Sequence, residues 1–497
     1  MICDLSTVLG WLDINSEFLD IEVTGLCLDS RKITTGNVFI ALCGYDNHGI
    51  DFAYQVQRGG ACAIFAESIK QDKAKPKGRQ QPLTIPVIEI ENLSEKLGLI
   101  ASNYYQNPSN HLDIIGITGT NGKTSSAWLL LQAWEKLGIK GAYIGTLGYG
   151  DLHQMHELQN TTPTALDLQI ILAKFVKEGV THVSFEVSSH GISLGRINNT
   201  QFKGAGFTNI SRDHLDFHIT MEEYSEAKKS LFMQFDLDFS VINTNDYYGN
   251  KWLDTLPSNV TTYGIESLQA DLYASNIRLT PKGINFDLNW KSKSYPIATT
   301  LLGKFNVENI LLVAGTLLSQ NINIQKLVKT IPLLSPVPGR MNCVDTGQNN
   351  PLIIVDYAHT PDALKQVLLA LKEHNAKNIW CVFGCGGNRD KGKRPQMGHI
   401  AEQLADQVII TDDNPRFEDN KQIVQDIVMG MNSKPVIIHQ RKAAIEYAIN
   451  HSHRDDLILI AGKGHEPYQL IKGHYHPFDD SIVAKDLLAS TVKEKSA

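Results

Sequence analysis

One run constrains this chain more than any other: Ile114-Ile115-Gly116-Ile117-Thr118-Gly119-Thr120-Asn121-Gly122-Lys123-Thr124. An apolar stretch enters a glycine-rich turn and restarts as a helical period, which predicts a buried strand over 112–117 and a helix over 125–137. In that setting the backbone N–H groups of Gly119, Thr120, Asn121 and Gly122, and those of the helix start through Ser125, point at phosphate oxygens. Lys123 reaches the terminal phosphates and the Thr124 hydroxyl ligates Mg²⁺. The strict G-x-x-x-x-G-K-[ST] pattern is missed by one position, because its first glycine falls at Ile117. The bland alternative, a glycine turn with a surface lysine, does not account for strand, loop, Gly-Lys-Thr and helix occurring together. Nucleoside triphosphate binding follows.

The loop alone would serve a GTPase, a kinase, a motor or a synthetase. Switch and motor readings call for D-x-x-G, or for an apolar strand ending in aspartate, and neither stands out. The strand expected over 182–187 instead carries Glu186, followed by Ser188-Ser189-His190. A carboxylate at a strand end beside a phosphate loop suits Mg²⁺; the competing reading is an exposed glutamate at a strand edge.

At 497 residues the chain exceeds one core, and about 150 residues per domain suggests three. Turn signals divide it at 1–110, 111–335 and 336–497. The first part ends in Tyr105-Gln106-Asn107-Pro108-Ser109-Asn110 and the second in Leu334-Ser335-Pro336-Val337-Pro338-Gly339. Strands alternate with helices in the second part, implying a helix-covered parallel sheet. Strand candidates at 353–356, 379–384, 407–411, 435–439 and 457–461 in the third imply a doubly wound, Rossmann-like sheet with polar clusters at the carboxyl ends. The expected class is α/β, with a central P-loop domain.

With 42% hydrophobic and 20% charged residues, wholesale disorder is excluded. A net charge of -7 argues against a nucleic-acid or anionic-membrane partner. The basic run 70–79 is read as a solvated loop. No apolar run is long enough for a membrane span, and the N-terminus lacks the pattern of a signal peptide. The seven cysteines are scattered; Cys381 and Cys385 are read as packing residues rather than half a zinc site.

Further signatures follow in order: Asn160-Thr161-Thr162-Pro163, Glu186-Val187-Ser188-Ser189-His190, Asn209-Ile210-Ser211-Arg212-Asp213-His214-Leu215-Asp216, Pro338-Gly339-Arg340-Met341, Asp356-Tyr357-Ala358-His359-Thr360-Pro361-Asp362 and Gly462-Lys463-Gly464-His465-Glu466. Together with the loop they resemble the Mur ligases, ATP-dependent enzymes that add amino acids to the peptidoglycan precursor. The resemblance covers the whole chain and is strongest to the diaminopimelate-adding branch. It implies a carboxylate activated by ATP as an acyl phosphate and then attacked by an amine. It also implies Lys123, Lys228 and His214 as catalytic groups, with Thr124, Glu186, His214 and Lys228 holding two Mg²⁺ ions. Asn309, in Asn306-Val307-Glu308-Asn309, would join Arg340 and His359 in holding the adenine, phosphate and ribose of ATP.

By the same resemblance Lys228, in Tyr224-Ser225-Glu226-Ala227-Lys228, is an N6-carboxylysine made with CO₂. Its neighbour Lys229 points roughly 100° away around the helix. Leu28, Ser30, Tyr45, Asp46 and Asn47 would contact the UDP of a UDP-MurNAc-L-Ala-D-Glu substrate; Asn160, Thr161, Thr162, Ser188 and Arg196 would contact its muramoyl-peptide part. A glutamine is common in the family where this chain has Leu194. Asp413-Asn414-Pro415-Arg416 resembles the motif that selects meso-diaminopimelate over L-lysine, with Arg389, Gly462 and Glu466 completing the amino-acid site. The remaining expectations are a cytoplasmic monomer active in cell-wall synthesis, cell shape and division. The enzyme rival is a folylpolyglutamate-synthetase-like ligase, and the rival of another class is a nucleotide-dependent switch without ligase activity.

Overall fold

The computed structural model describes residues 2–15, 20–44, 47–68, 82–257, 259–280, 282–344, 350–374, 376–464 and 466–495. Tyr45, Asp46 and the basic run 70–79 lie outside the described residues. The chain divides into two compact units, Met1–Thr261 and Thr262–Ala497.

In the first unit, strands Gly25–Cys27, Asn37–Ala41, Ala63–Glu67 and Val87–Ile90 form a parallel four-stranded sheet. Side chains alternate across it. Val38, Ile40, Ala63 and Phe65 pack with Leu97 and Ile100 of the helix Leu93–Tyr104, while Phe39, Ala41, Ile64 and Ala66 pack with Ala53 and Val56 of the helix Ala53–Arg58. Burial on both faces is why these strands read as continuous apolar runs.

The same unit holds a second set of parallel strands in the spatial order Gly141–Gly145, His182–Glu186, Asp113–Thr118, Gly204–Phe207, Phe239–Asn243. A short antiparallel hairpin, Gly148–Gly150 with Met155–His156, extends the Gly141–Gly145 edge. The adjacent strands Asp113–Thr118 and His182–Glu186 send their connections to opposite sides. A crevice therefore opens between their carboxyl ends, where Thr118 leads into the glycine turn and Glu186 ends its strand.

The second unit contains an antiparallel meander absent from the strand candidates: Leu272–Thr280, Gly283–Trp290 and Lys293–Thr299. Ile284, Phe286 and Leu288 are buried while Asn285 is exposed, so only one face contributes to a core. The helix Phe305–Ser319 is buried along most of its length. The last sheet is doubly wound. Parallel strands lie in the order Leu352–Asp356, Leu457–Ala461, Ile379–Phe383, Gln407–Ile410, Val436–Ile437, with Asn342–Val344 antiparallel at one edge. Ile354, Phe383 and Leu459 face the helices Pro361–Lys372, Lys393–Leu404 and Asn420–Val428; Val355, Val382 and Ile460 face Arg441–His451 and Asp480–Lys495. Cys381 and Cys385 sit in the first of these cores, with Cys385 Sγ 3.7 Å from Met397 Sδ.

Candidate active site

The glycine turn is held open by its own backbone. Gly119 and Gly122 have φ of +150° and +83°, and a side chain at 119 would collide with the Thr208 hydroxyl. The segment 208–211 straps the loop: Thr120 N donates to Asn209 O (2.7 Å), Asn121 N to Asn209 Oδ1 (3.0 Å), and Thr208 Oγ1 to Asn121 O (2.6 Å). Lys123 Nζ folds back onto the carbonyls of Gly119 and Thr120, at 2.8 Å each. The motif Asn209-Ile210-Ser211 thus braces the phosphate loop mechanically.

Glu186 is fully buried at the end of its strand. Thr124 Oγ1 donates to its Oε2 at 2.9 Å, joined by Thr146 Oγ1 at 3.2 Å. Its Oε1 accepts from the Tyr143 hydroxyl and from Thr146 N (3.0 Å). A buried carboxylate surrounded by hydroxyls offers hard oxygen to a divalent cation, and the exposed-edge reading is excluded. Among the described residues, no cluster of three or more His, Cys, Asp or Glu is placed to hold a metal by itself.

Lys228 is 1% exposed and its Nζ donates to Gly119 O at 2.8 Å, the carbonyl that Lys123 also uses. Burial, reinforced by the Lys123 charge, holds the Lys228 amine well below its ordinary pKa. Its Nζ lies 4.4 Å from the centre of the Tyr224 ring, whose hydroxyl is 3.1 Å from Thr120 Oγ1. His214, exposed and beside Asp213 (3.5 Å), stacks edge-on to His190 at 4.7 Å and reaches the Tyr224 ring at 6.1 Å. Tyr224 therefore links the loop, Lys228 and His214. Lys229 instead pairs with Glu226 at 4.0 Å.

A cleft of about 2030 Å³ in the same unit is lined by Leu28, Ser30, Asn47, Asn160, Leu194 and Arg196, among others. Thr161, Thr162 and Ser188 are not among its lining residues. Thr161 Oγ1 meets Thr146 Oγ1 at 3.1 Å, and Thr162 Oγ1 meets Ser188 Oγ at 3.0 Å. Arg196 Nη1 donates to Thr162 O at 2.9 Å, tying the two groups together.

In the second unit, Asp356 joins two of the expected ATP residues. Its carboxylate accepts from Met341 N and Ala358 N, at 2.7 Å each, so the turn after Arg340 and the turn before His359 share one anchor. Burial raises the Asp356 pKa. Arg340 and His359 are exposed, while Asn309 is buried and donates to Asn306 Oδ1 at 2.9 Å.

The amino-acid candidates converge at the sheet's carboxyl ends. Asn414 Nδ2 donates to Glu466 Oε2 at 2.7 Å, and Gly462 (φ +114°) leaves room beside Asp413 Oδ2. Arg416, half-buried with φ +53°, donates from Nη1 to Gly387 O at 3.0 Å; no carboxylate pairs with it among the described residues. Arg389 is exposed two residues beyond Gly387, and Pro415 is buried. Tyr143 and Thr146 belong to none of the sequence motifs, and Tyr224 and Asp356 entered only as motif members without a role of their own. Each acts through a fold-dependent contact that no local spacing announces.

Three profiles of one family match the chain: "Mur ligase family, catalytic domain" at residues 22–105, "Mur ligase middle domain" at 117–317 and "Mur ligase, glutamate ligase domain" at 339–464. The chain is 42% identical to a protein of Xylella fastidiosa named UDP-N-acetylmuramoyl-L-alanyl-D-glutamate–2,6-diaminopimelate ligase, over 95% of each. A Haemophilus influenzae protein of the same name is also 42% identical, over 94% of this chain and 97% of its own. A solved structure so named superposes with TM-score 0.76 at 35% identity, covering 99% of this chain and all of its own. A folylpolyglutamate synthase from Thermotoga maritima, 16% identical with TM-score 0.58 over 74% of this chain and 90% of its own, shares the fold alone. Matched along almost its whole length, the chain belongs to the Mur ligase family.

Proposed function

We propose that this chain is an ATP-dependent ligase joining meso-2,6-diaminopimelate to the D-Glu carboxylate of UDP-MurNAc-L-Ala-D-Glu, releasing ADP and phosphate, in peptidoglycan biosynthesis. The carrying observation is 42% identity, over 95% of each chain, to a protein named for that reaction. The carboxylate becomes an acyl phosphate, and the amine then displaces phosphate. The protein's part is to align anions and neutralise charge. Lys123, with the N–H groups of the loop and helix start through Ser125, steadies the triphosphate. Mg²⁺, when bound, supplies charge neutralisation between phosphate oxygens; Thr124, Glu186, His214 and a modified Lys228 would hold it.

Lys228 is the residue proposed to carry a carbamate. Its depressed basicity favours the neutral amine, whose nitrogen lone pair adds to the carbon of CO₂ with loss of a proton. The cleft lined by Leu28, Ser30, Asn47, Asn160 and Arg196 is proposed for the UDP-sugar peptide, together with Thr161, Thr162 and Ser188. Tyr45 and Asp46 belong to the same proposal. Asn309, Arg340 and His359 are proposed for ATP, and Arg389, Asp413, Asn414, Pro415, Arg416, Gly462 and Glu466 for the amino acid. The division 1–110, 111–335 and 336–497 corresponds to UDP-sugar, ATP and amino-acid domains. The enzyme is proposed to be a cytoplasmic monomer; no helix among the described residues is long and apolar enough to cross a membrane.

The test is phosphate release with UDP-MurNAc-dipeptide, ATP and a panel of amino acids. Turnover that requires all three substrates and peaks with meso-diaminopimelate is expected. Turnover on a pterin substrate would favour the folylpolyglutamate reading, and nucleotide exchange without turnover the switch.

A further inference from the structure

Behind the amino-acid cluster lies a charged group that the proposed chemistry does not use. Arg394, at the start of the helix Lys393–Leu404, is fully buried. Its Nη1 donates to Asp426 Oδ2 at 2.8 Å; its Nη2 donates to Glu418 and, at 3.3 Å, to the carbonyl of Gly386. Gly386 belongs to the loop that runs on to Arg389, and Glu418 to the loop that carries Arg416. The same two loops are cross-tied in front. Gly387 N donates to Asn414 O (2.9 Å), Arg416 Nη1 to Gly387 O (3.0 Å), and Phe417 N to Asn388 Oδ1 (3.1 Å). A side chain at Gly386 would press on Arg416 Nη1, so the head of Arg416 rests against this loop.

We infer that Arg394 is a positioning residue that sets the amino-acid specificity of this ligase by clamping the Gly386 and Glu418 loops, so that Arg416 presents a fixed fork to the distal carboxylate of its substrate. The inference rests on the proposed role of Arg416. Arg394 itself is out of reach of any substrate. Its planar guanidinium serves three acceptors on separate segments, which a lysine ammonium, a point charge on a flexible stem, cannot do in the same geometry. Loosening a recognition fork by a fraction of an ångström is enough to cost about a factor of ten or more. Pairing with two carboxylates also means that removing the cation would leave Glu418 and Asp426 facing each other with one fewer neutralising charge, while Lys391 still holds Glu418 at 3.2 Å.

Arg394→Lys is the principal test, because it keeps the charge and most of the volume. The KM for meso-diaminopimelate should rise about tenfold or more, while KM for ATP and for the UDP-sugar peptide stay near those of the unmodified enzyme. The ratio of specificity constants for meso-diaminopimelate over L-lysine should fall with it. A merely structural role would not produce the next result. In an Arg416→Ala background, Arg394→Lys should leave that ratio unchanged, since it acts only through Arg416. Should Arg394→Lys fail to fold, Glu418→Gln relaxes the same clamp and is expected to shift the ratio in the same direction by less. An unchanged ratio in folded Arg394→Lys, a uniform rise of all three KM values, or full additivity with Arg416→Ala would overturn the inference. Equal use of lysine and diaminopimelate by the unmodified enzyme would sink the reading of Arg416 instead.

Discussion

The two regions proposed to receive anions hold their buried charges in different ways. In the phosphate-loop crevice, two lysines share the Gly119 carbonyl, and the buried carboxylate Glu186 is satisfied by hydroxyls and an amide. In the proposed amino-acid region two fully buried arginines stand in formal pairs, Arg394 with Glu418 and Asp426, and Arg441 with Asp480 through two bonds of 2.7 Å, beside a buried lysine, Lys463, 3.4 Å from Glu466. A lysine shifts its pKa when buried and can change charge or be modified, whereas a guanidinium keeps its charge and a rigid fork. The first region is built for groups that arrive, react and leave. The second is built to measure a shape.

If that contrast is right, the two lysines of the crevice should be the costliest positions to remove. Lys228→Ala is expected to abolish nearly all turnover, and formate or acetate to restore part of it by supplying the lost oxygen ligand. Lys123→Ala should lower kcat at least about a hundredfold, as the loss of a cation beside a transferring phosphoryl group does. Lys229→Ala should be mild, because that side chain only pairs with Glu226. Initial-rate assays on the three variants decide the matter, and a reversal of the Lys228 and Lys229 phenotypes would break the comparison at its first limb.

The second limb predicts a specificity effect in place of an activity effect. Lysine lacks the distal carboxylate of meso-diaminopimelate and would leave Arg416 without an anion, as it stands here. A site built around such a bond can reject the analogue lacking it by about 10⁴. Arg416→Ala should therefore lose most of the preference while turnover with saturating amino acid survives. Competition between the two amino acids, read by product mass, measures it; a preference intact in Arg416→Ala would assign the selection elsewhere.

What the sequence carried and what it did not divides along the same physical line. The phosphate loop was legible because a strand, a glycine turn, Gly-Lys-Thr and a helix are local and leave few alternatives; the observed helix begins at Lys123, two residues before its expected start. Lys228 could be preferred over Lys229 because one residue along a helix turns a side chain about 100°; Lys228 is fully buried and Lys229 only partly so. The meander at 272–299 does carry a strand signal, since Ile284, Phe286, Leu288 and Trp290 alternate with Asn285, Asp287 and Asn289; it lies outside the strand candidates because those are continuous apolar runs, which this one-face-buried sheet lacks. Tyr143 and Arg394 escaped because their importance lies in bonds to residues distant in sequence, and Asp356 entered as a motif member whose bond to Met341, fifteen residues away, no spacing announces. Arg394 alone reaches Glu418 and Asp426 across two helices and a loop. Spacing reveals what a segment does by itself; it is silent on what a buried fork ties together.

The smallest expected effect sharpens the comparison through pH. Acidification to about pH 5 leaves Arg394 paired with charged Glu418 and Asp426, because hydrogen bonds outweigh burial and hold both carboxyls below their usual range; the acid sensitivity at issue is that of a buried group neutral when folded. His374 is one. It is fully buried; its Nε2 accepts from Gly303 N at 2.7 Å, which puts the proton on Nδ1, and Nδ1 donates to Thr280 O at 2.6 Å. Burial holds its pKa below the usual 6.5, against the opposing pull of the Thr280 carbonyl and Glu373. A base depressed in the folded state binds fewer protons than it does unfolded. Its contribution is therefore whole above about pH 6.5 and declines as pH falls through that value. Protonating Nε2 would also strip Gly303 N–H of its acceptor. His374→Gln keeps an acceptor for Gly303 but does not titrate. It should be slightly less stable at about pH 7.5, by about 1 kcal/mol for imperfect hydrogen bonds, yet lose less on acidification. Thermal unfolding midpoints of both proteins from about pH 7.5 to 5 make the comparison. Curves that converge toward the acid end are expected; parallel curves would mean that His374 carries none of the acid sensitivity.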